Sequence, residues 1–217
     1  MARTRQDGEQ TRRNILASAA KLFAQKGYES TTIAEICRDC HVNIALVNYH
    51  FGNKENLYRR AWRDAWERTN AKYPADDGVS EYANAEIRLR GHIASLLKQN
   101  ADPECCDEEI WRKELAQPTG LLTELRDKMV VPLRDALREN IRALLGTAAS
   151  ESVVNLCTMS VMAQCRVPIG KRRTGEKTFI KIDLDERIEH VWRFSLAGIY
   201  ACGNSTTKTA PASDGAM

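Results

Sequence analysis

Apolar residues recur along this 217-residue chain at spacings of three and four, the period of an α-helix. Ile15, Leu16, Ala19, Leu22 and Phe23 predict a first helix from about Thr11 to Lys26, ended at Gly27. Ile33, Ile36 and Cys37 give one apolar face to a short second helix. Its start is marked by Thr32 with Glu35 three residues later, a capping-box pattern. A turn falls at Cys40-His41-Val42, and Asn43 is a good N-cap for a third helix, Ile44 to Phe51. Gly52-Asn53 ends that helix and caps a fourth, about 53 to 72, with Leu57, Ala61, Trp62, Ala65 and Trp66 at helical spacing. Pro74 and Gly78 mark a loop over 73–80. Helices are then expected over 81–99, 107–116, 120–145 (bent or broken near Pro132) and 150–166. The last covers 184–202, with Leu184, Ile188, Val191, Trp192, Ser195 and Ile199 in a nearly heptad stripe. The tail, rich in Ser, Thr, Ala, Pro and Gly, is expected to be disordered. The reading is an all-α protein with domains at 1–54 and 55–203 and a tail at 204–217.

Two short capped helices joined by a turn of three or four residues fit a DNA-binding helix-turn-helix. On the helix 44–51, Val47 and Phe51 share one face and are the inward pair, joined by Val42 from the turn. Ala45, Asn48 and Tyr49 point outward with Ile44 at their margin. Asn48 can hydrogen-bond bidentately to adenine, and Ala45 can touch a thymine methyl. Tyr49 can reach a base edge or a phosphate. Thr32, Asn43 and Lys54 sit at helix N-termini, where amides and dipole favour a phosphate. Thr32 and Asn43 also cap their helices, and His50 between the two faces is read as packed within the domain.

The segment from Thr11 to Tyr58, TRRNILASAAKLFAQKGYESTTIAEICRDCHVNIALVNYHFGNKENLY, resembles the N-terminal DNA-binding domain of the TetR family of transcriptional repressors. Two departures stand out. The family usually carries Gly where His41 stands, because that residue takes positive φ; His tolerates this region better than most residues. The family usually carries Leu-Tyr at Val47-Asn48, so its tyrosine contact to the DNA backbone does not transfer to position 48; Tyr49 is the replacement.

Charge follows the same division. Residues 1–63 hold eleven Lys and Arg against six Asp and Glu, a net of +5, while the rest of the chain is at −2 within an overall +3. A basic N-terminal third is the electrostatic footprint of DNA binding. Arg3, Arg5, Arg12 and Arg13 form either a phosphate-reaching arm or an idle terminus. No apolar run approaches the ~20 residues of a membrane span, and no secretory segment is present. Seven cysteines without a regular framework point to reduced thiols in the cytoplasm. Cys37-x-x-Cys40-His41 has no second pair to complete a metal site, and buried small hydrophobes are expected there. Cys105 and Cys106 sit among carboxylates, which would raise a thiol pKa. No metal or cofactor is expected, and no nucleotide loop, nucleophile elbow or HExxH pair is present.

The region from about Ile110 to Arg172 is similar to the C-terminal domain of the CecR-type subgroup of TetR regulators. That resemblance implies a helical bundle that binds a small-molecule effector and dimerises through its last two long helices. Independently, the helices 150–166 and 184–202 carry more apolar surface than one small bundle needs. Leu96, Trp111, Leu115, Leu122, Met129, Met159 and Met162 are placed near a pocket, with His92, Arg112, Glu114 and Gln164 as orienting polar groups. The loop 166–181 is basic and carries either an anion site or a solvated surface. The expected function is a homodimeric regulator, a repressor that leaves a palindromic double-stranded operator when an effector binds. A ligandless DNA-binding protein remains an alternative, as does a Cys-dependent enzyme or redox sensor.

Overall fold

A computed structural model describes residues 2–166 and 182–206. The basic loop over 167–181 and the tail from 207 onward lie outside the described residues. So do the side chains of Arg3 and Arg5. The described residues form ten helices and no strand. They are α1 (Ala2–Lys26), α2 (Ile33–Asp39), α3 (Ile44–Phe51), α4 (Lys54–Lys72), α5 (Ala85–Ala101), α6 (Asp107–Ala116), α7 (Thr123–Met129), α8 (Val131–Leu145), α9 (Glu151–Arg166) and α10 (Leu184–Thr206).

Three boundaries differ from expectation. α1 begins at Ala2, so the N-terminal arginines stand on a continuous helix and not on a loose arm. α5 begins four residues late because the Asn84 side chain accepts the Ile87 amide at 2.9 Å and caps the helix there. α10 continues through Gly203 to Thr206, where a Cβ on Gly203 would stand 3.3 Å from the Leu145 carbonyl oxygen. The expected long helix over 120–145 is broken at Val130, and Pro132 occupies the second position of α8, where its missing amide costs no helical bond.

The chain folds into two compact units that do not follow chain order. The first comprises Met1–Lys72 and Asp102–Val131. Its core joins Ile15, Leu16, Leu22 and Phe23 of α1 to Ile36 of α2, Val47 and Phe51 of α3, Leu57, Tyr58 and Trp62 of α4, and Ile110 of α6. Burying each large side chain of this kind contributes roughly 1.5–3 kcal/mol. The expected boundary after Lys54 falls inside this unit, because the apolar stripe of α4 packs on α1 and on α6 alike.

Polar bonds reinforce the α4–α6 seam. Trp62 Nε1 donates to the Asp107 carbonyl at 3.2 Å, and the Thr69 hydroxyl donates to the Asp107 carboxylate at 2.6 Å. Near the other end of α6, the buried Glu114 carboxylate accepts from Tyr58 Oη at 3.0 Å, from Thr119 N at 2.9 Å and from Gly120 N at 3.0 Å. Burial, and then Glu114 itself, push the Tyr58 phenol upward.

The second unit comprises Tyr73–Ala101 and the chain from Pro132 onward. Leu89, Ile93 and Leu97 of α5 meet Leu137 and Ile141 of α8, Val154, Cys157 and Val161 of α9, and Ile188, Val191 and Ile199 of α10. Gly91 is required where the 73–84 loop crosses α5. A Cβ there would lie 2.3 Å from the Asp76 carbonyl oxygen and 2.9 Å from Val79.

Candidate nucleic-acid interface

The capping box predicted at Thr32 is complete. Thr32 Oγ1 accepts the Glu35 amide at 3.2 Å, and Glu35 Oε2 accepts the Thr32 amide at 3.0 Å. Lys26 reaches Glu35 at 2.7 Å and Lys21 reaches Asp39 at 2.9 Å, so two α1 lysines hold α2 from behind. The Lys26 ammonium first, then the Thr32 amide and hydroxyl, hold the Glu35 carboxyl down at about 2. His41 adopts φ 55°, the left-handed turn conformation expected at that position. Asn43 Oδ1 then accepts the Leu46 amide at 2.9 Å and starts α3. Gly52 ends α3 at φ 77°, and Asn53 Oδ1 caps α4 by accepting the Asn56 amide at 2.8 Å.

α3 is thereby held with one face in and one face out. Val47 and Phe51 are buried, and Val42 packs beside them. Ala45 and Asn48 are exposed, Tyr49 is 83% exposed and Ile44 50%. A tyrosine this open on a short helix contributes little to its own domain. His50 is half-buried, with its ring 5.1 Å from Tyr49 and 6.0 Å from Phe51. Lys54 differs from a free surface charge: its ammonium lies 4.2 Å from the Tyr28 ring centroid and donates to the Glu29 carbonyl at 3.4 Å. Thr32, Asn43 and Lys54 therefore all have structural partners beside any phosphate contact.

The residues expected around a pocket divide between the units. In the first, Leu122 is fully buried, Trp111 and Met129 pack against the core, and Leu115 is 60% exposed. Arg112 pairs with Glu109, and Glu114 is occupied as described. In the second, Leu96 and Met162 pack against the core, and Gln164 donates to Ser195 Oγ at 3.2 Å. Met159 is 66% exposed on α9 and so lies on the surface of its unit, not within it. Its neighbour one turn earlier, Leu156, is equally open.

His92 lines a cavity of about 280 Å³ in the second unit, with Asp76, Val79, Glu81, Arg88, Ala136, Glu139 and Asn140. Its ring Nδ1 is 2.9 Å from the Ala75 carbonyl, and burial pulls the imidazole pKa down. Asn140 accepts from Arg88 Nε at 3.2 Å and donates to the Ala85 carbonyl at 3.1 Å. Arg88 and Asn140 were not legible as lining residues, since no local pattern links positions 52 apart.

Cys37 is buried and Cys40 half-buried, and burial raises both thiols. Cys105 rises to about 11, chiefly through burial and only then through Asp102 and Asp107, which reverses the weighting of causes expected from sequence. No group of metal-ligating side chains occurs among the described residues, and no described helix is long and apolar enough to cross a membrane.

Comparison with known proteins agrees with this geometry. Residues 15–61 match bacterial regulatory proteins of the tetR family, and residues 85–199 match the C-terminal domain of the HTH-type transcriptional dual regulator CecR. CecR from Shigella flexneri is 25% identical over 185 residues, 80% of either chain. The transcriptional regulator AcrR from the same organism is 38% identical over 63 residues, 29% of either chain, a match confined to a short segment. Among solved structures, a TetR-like regulator from Rhodococcus sp. RHA1 superposes with a TM-score of 0.65 at 11% identity, over 87% of this chain and 95% of that one. AibR in complex with isovaleryl coenzyme A and operator DNA gives 0.65 at 20% identity, over 88% and 98%. At such identities the likeness is one of fold. With the second family match alone spanning more than half of the sequence, the chain belongs to the TetR family of DNA-binding transcriptional regulators and carries a CecR-type C-terminal domain.

Proposed function

We propose that the protein is a cytoplasmic homodimeric repressor whose α3 helices each enter the major groove of one operator half-site. The observation that carries this reading is the outward face of α3: Ala45, Asn48 and Tyr49 exposed while Val47 and Phe51 anchor the helix. Asn48 reads adenine, Ala45 and Ile44 contact methyl groups, and Tyr49 meets a base edge or a phosphate. Thr32, Asn43 and Lys54 place phosphates at the helix starts. Support for a dimer comes from α9 and α10, which leave Leu156, Met159, Phe194 and Tyr200 exposed as a set of large apolar groups. A second copy of the chain would bury them.

The effector-binding element of this reading is the second unit, with His92, Leu96 and Met162 nearest its interior. Tenfold relief of repression needs the effector to favour the released form by ~1.4 kcal/mol. The test is fluorescence anisotropy with DNA from upstream of the protein's own gene, against shuffled DNA, over a salt series. Preference for its own DNA with a steep fall in affinity as salt rises supports the reading. Equal affinity for both DNAs contradicts it. A compound screen that reads melting temperature and operator affinity together tests the effector step. Failure of every compound to move both would leave a ligandless DNA binder as the better account.

A further inference from the structure

The cysteines that drew attention in the sequence, in the turn motif and at 105–106, are not the ones that the fold brings together. α9 and α10 run antiparallel within the second unit, and their register is fixed by two bonds. Gln164 Nε2 donates to Ser195 Oγ at 3.2 Å, and the Arg187 guanidinium donates to the Gln164 carbonyl at 3.3 Å. Seven residues are close to two helical turns, so a step of seven returns to the same face. Seven back along α9 from Gln164 is Cys157, and seven forward along α10 from Ser195 is Cys202. In that register the two thiols face each other across the α9–α10 seam, and Cys202 is the side chain whose proximity acts on the Cys157 thiol. Both are reduced. Cys157 is 8% exposed, in the core with Val154 and Val161, whereas Cys202 is exposed near the end of α10.

We propose that Cys157 and Cys202 are a redox modification site: a hydroperoxide oxidises Cys202, and Cys157 closes an intrachain disulfide that fastens α9 to α10. The roles follow from exposure. Cys202 is open to solvent, while burial and then the Cys202 thiol push Cys157 up to about 11 and keep it protonated. The Cys202 sulfur, having lost its proton to solvent, attacks the outer oxygen of the hydroperoxide. The O–O bond breaks, and the alcohol (water, for hydrogen peroxide) leaves with a proton. Cys157 Sγ then attacks the Cys202 sulfenic sulfur; its S–O bond breaks, and hydroxide departs as water with the Cys157 proton. Two thiols and one hydroperoxide thus give one disulfide, one alcohol and one water. The register places the thiols opposite each other on neighbouring helices, and forming the ~2.05 Å S–S bond draws those helices together. Those helices carry the apolar face on which dimerisation was proposed, so the bond acts directly on that face. The site itself does not depend on DNA binding.

The experiment exposes the full native chain to a small excess of hydrogen peroxide. Free thiols are counted before and after, and the product is mapped by peptide mass spectrometry without reduction. The expected result is a fall from seven thiols to five. A 157–202 linked peptide should appear that dithiothreitol reverses, and the melting temperature should rise. Cys202→Ser should retain six thiols after the same treatment, and Cys157→Ala should stop at a Cys202 sulfenic acid trapped by dimedone. If Cys157→Ala fails to fold, Cys202→Ser together with the wild-type map still decides. Thiol loss elsewhere, a Cys202–Cys202 link between two chains, or no linked 157–202 peptide would overturn the proposal.

Discussion

Asn48 carries the most specific expectation at the residue scale, because it is exposed on α3 and its amide matches the edge of adenine. Asn48→Ala should cost about 1–3 kcal/mol against the chosen operator and little against shuffled DNA, as read by anisotropy on both. Tyr49→Phe discriminates between its two roles: a uniform loss on both DNAs marks a phosphate contact, and a loss on the operator alone marks a base contact. Glu35 gives a pH dependence with a definite sign. Its carboxyl is held down at about 2, so the stability it contributes is fully present above the ordinary carboxylate range and is lost as pH falls through it toward 2. Thermal melts of wild type and Glu35→Ala should therefore differ at pH 7 and converge near pH 2. A gap that stays constant with pH would mean that the capping box acts without its charge. Capping roles at Thr32, Asn43 and Asn53 and the inward pair Val47 and Phe51 were legible from sequence, because caps and helical faces are local physics. The stacking of Lys54 over Tyr28 was not, since it joins residues 26 apart with α2 and α3 between them.

At the scale of elements, the bonds between α4 and α6 tie the two chain segments of the first unit together. Tyr58→Phe removes a donor from the buried Glu114 carboxylate, whose other protein donors are in the 119–120 turn. Leaving a buried acceptor short of a partner should cost about 1–3 kcal/mol in urea melts. A change below about 0.5 kcal/mol would show that Thr119 and Gly120 suffice on their own. Nothing in the sequence pairs positions 58 and 114; only the packing of α6 on α4 does. The same limit explains the boundary after Lys54. Periodicity located α4 and α6 almost to the residue, yet it carries no information on which helices share a core. Pro132 shows the opposite case, since a ring that cannot continue a helix announces the break between α7 and α8 in the sequence.

Over the whole molecule, the helix-turn-helix lies within the basic first 63 residues, and the second helical unit leaves apolar side chains unburied on its last two helices. Met159, expected near a pocket, is instead an exposed residue of α9. A large apolar side chain at helical spacing reads equally well as pocket, core or interface, and exposure decides among them. Met159→Glu should leave each chain folded by circular dichroism while shifting its sedimentation from dimer to monomer at micromolar concentration. Two copies of α3 are proposed to read one symmetric site together. The measurement that bears on it most directly selects binding sequences from random duplex DNA with the full chain. The stoichiometry on the winner is then determined by sedimentation. The expected product is two half-sites related by dyad symmetry, their centres about one helical turn or a multiple apart, with two chains bound cooperatively per duplex. An enriched site without symmetry, or a single chain binding with full affinity, would contradict it.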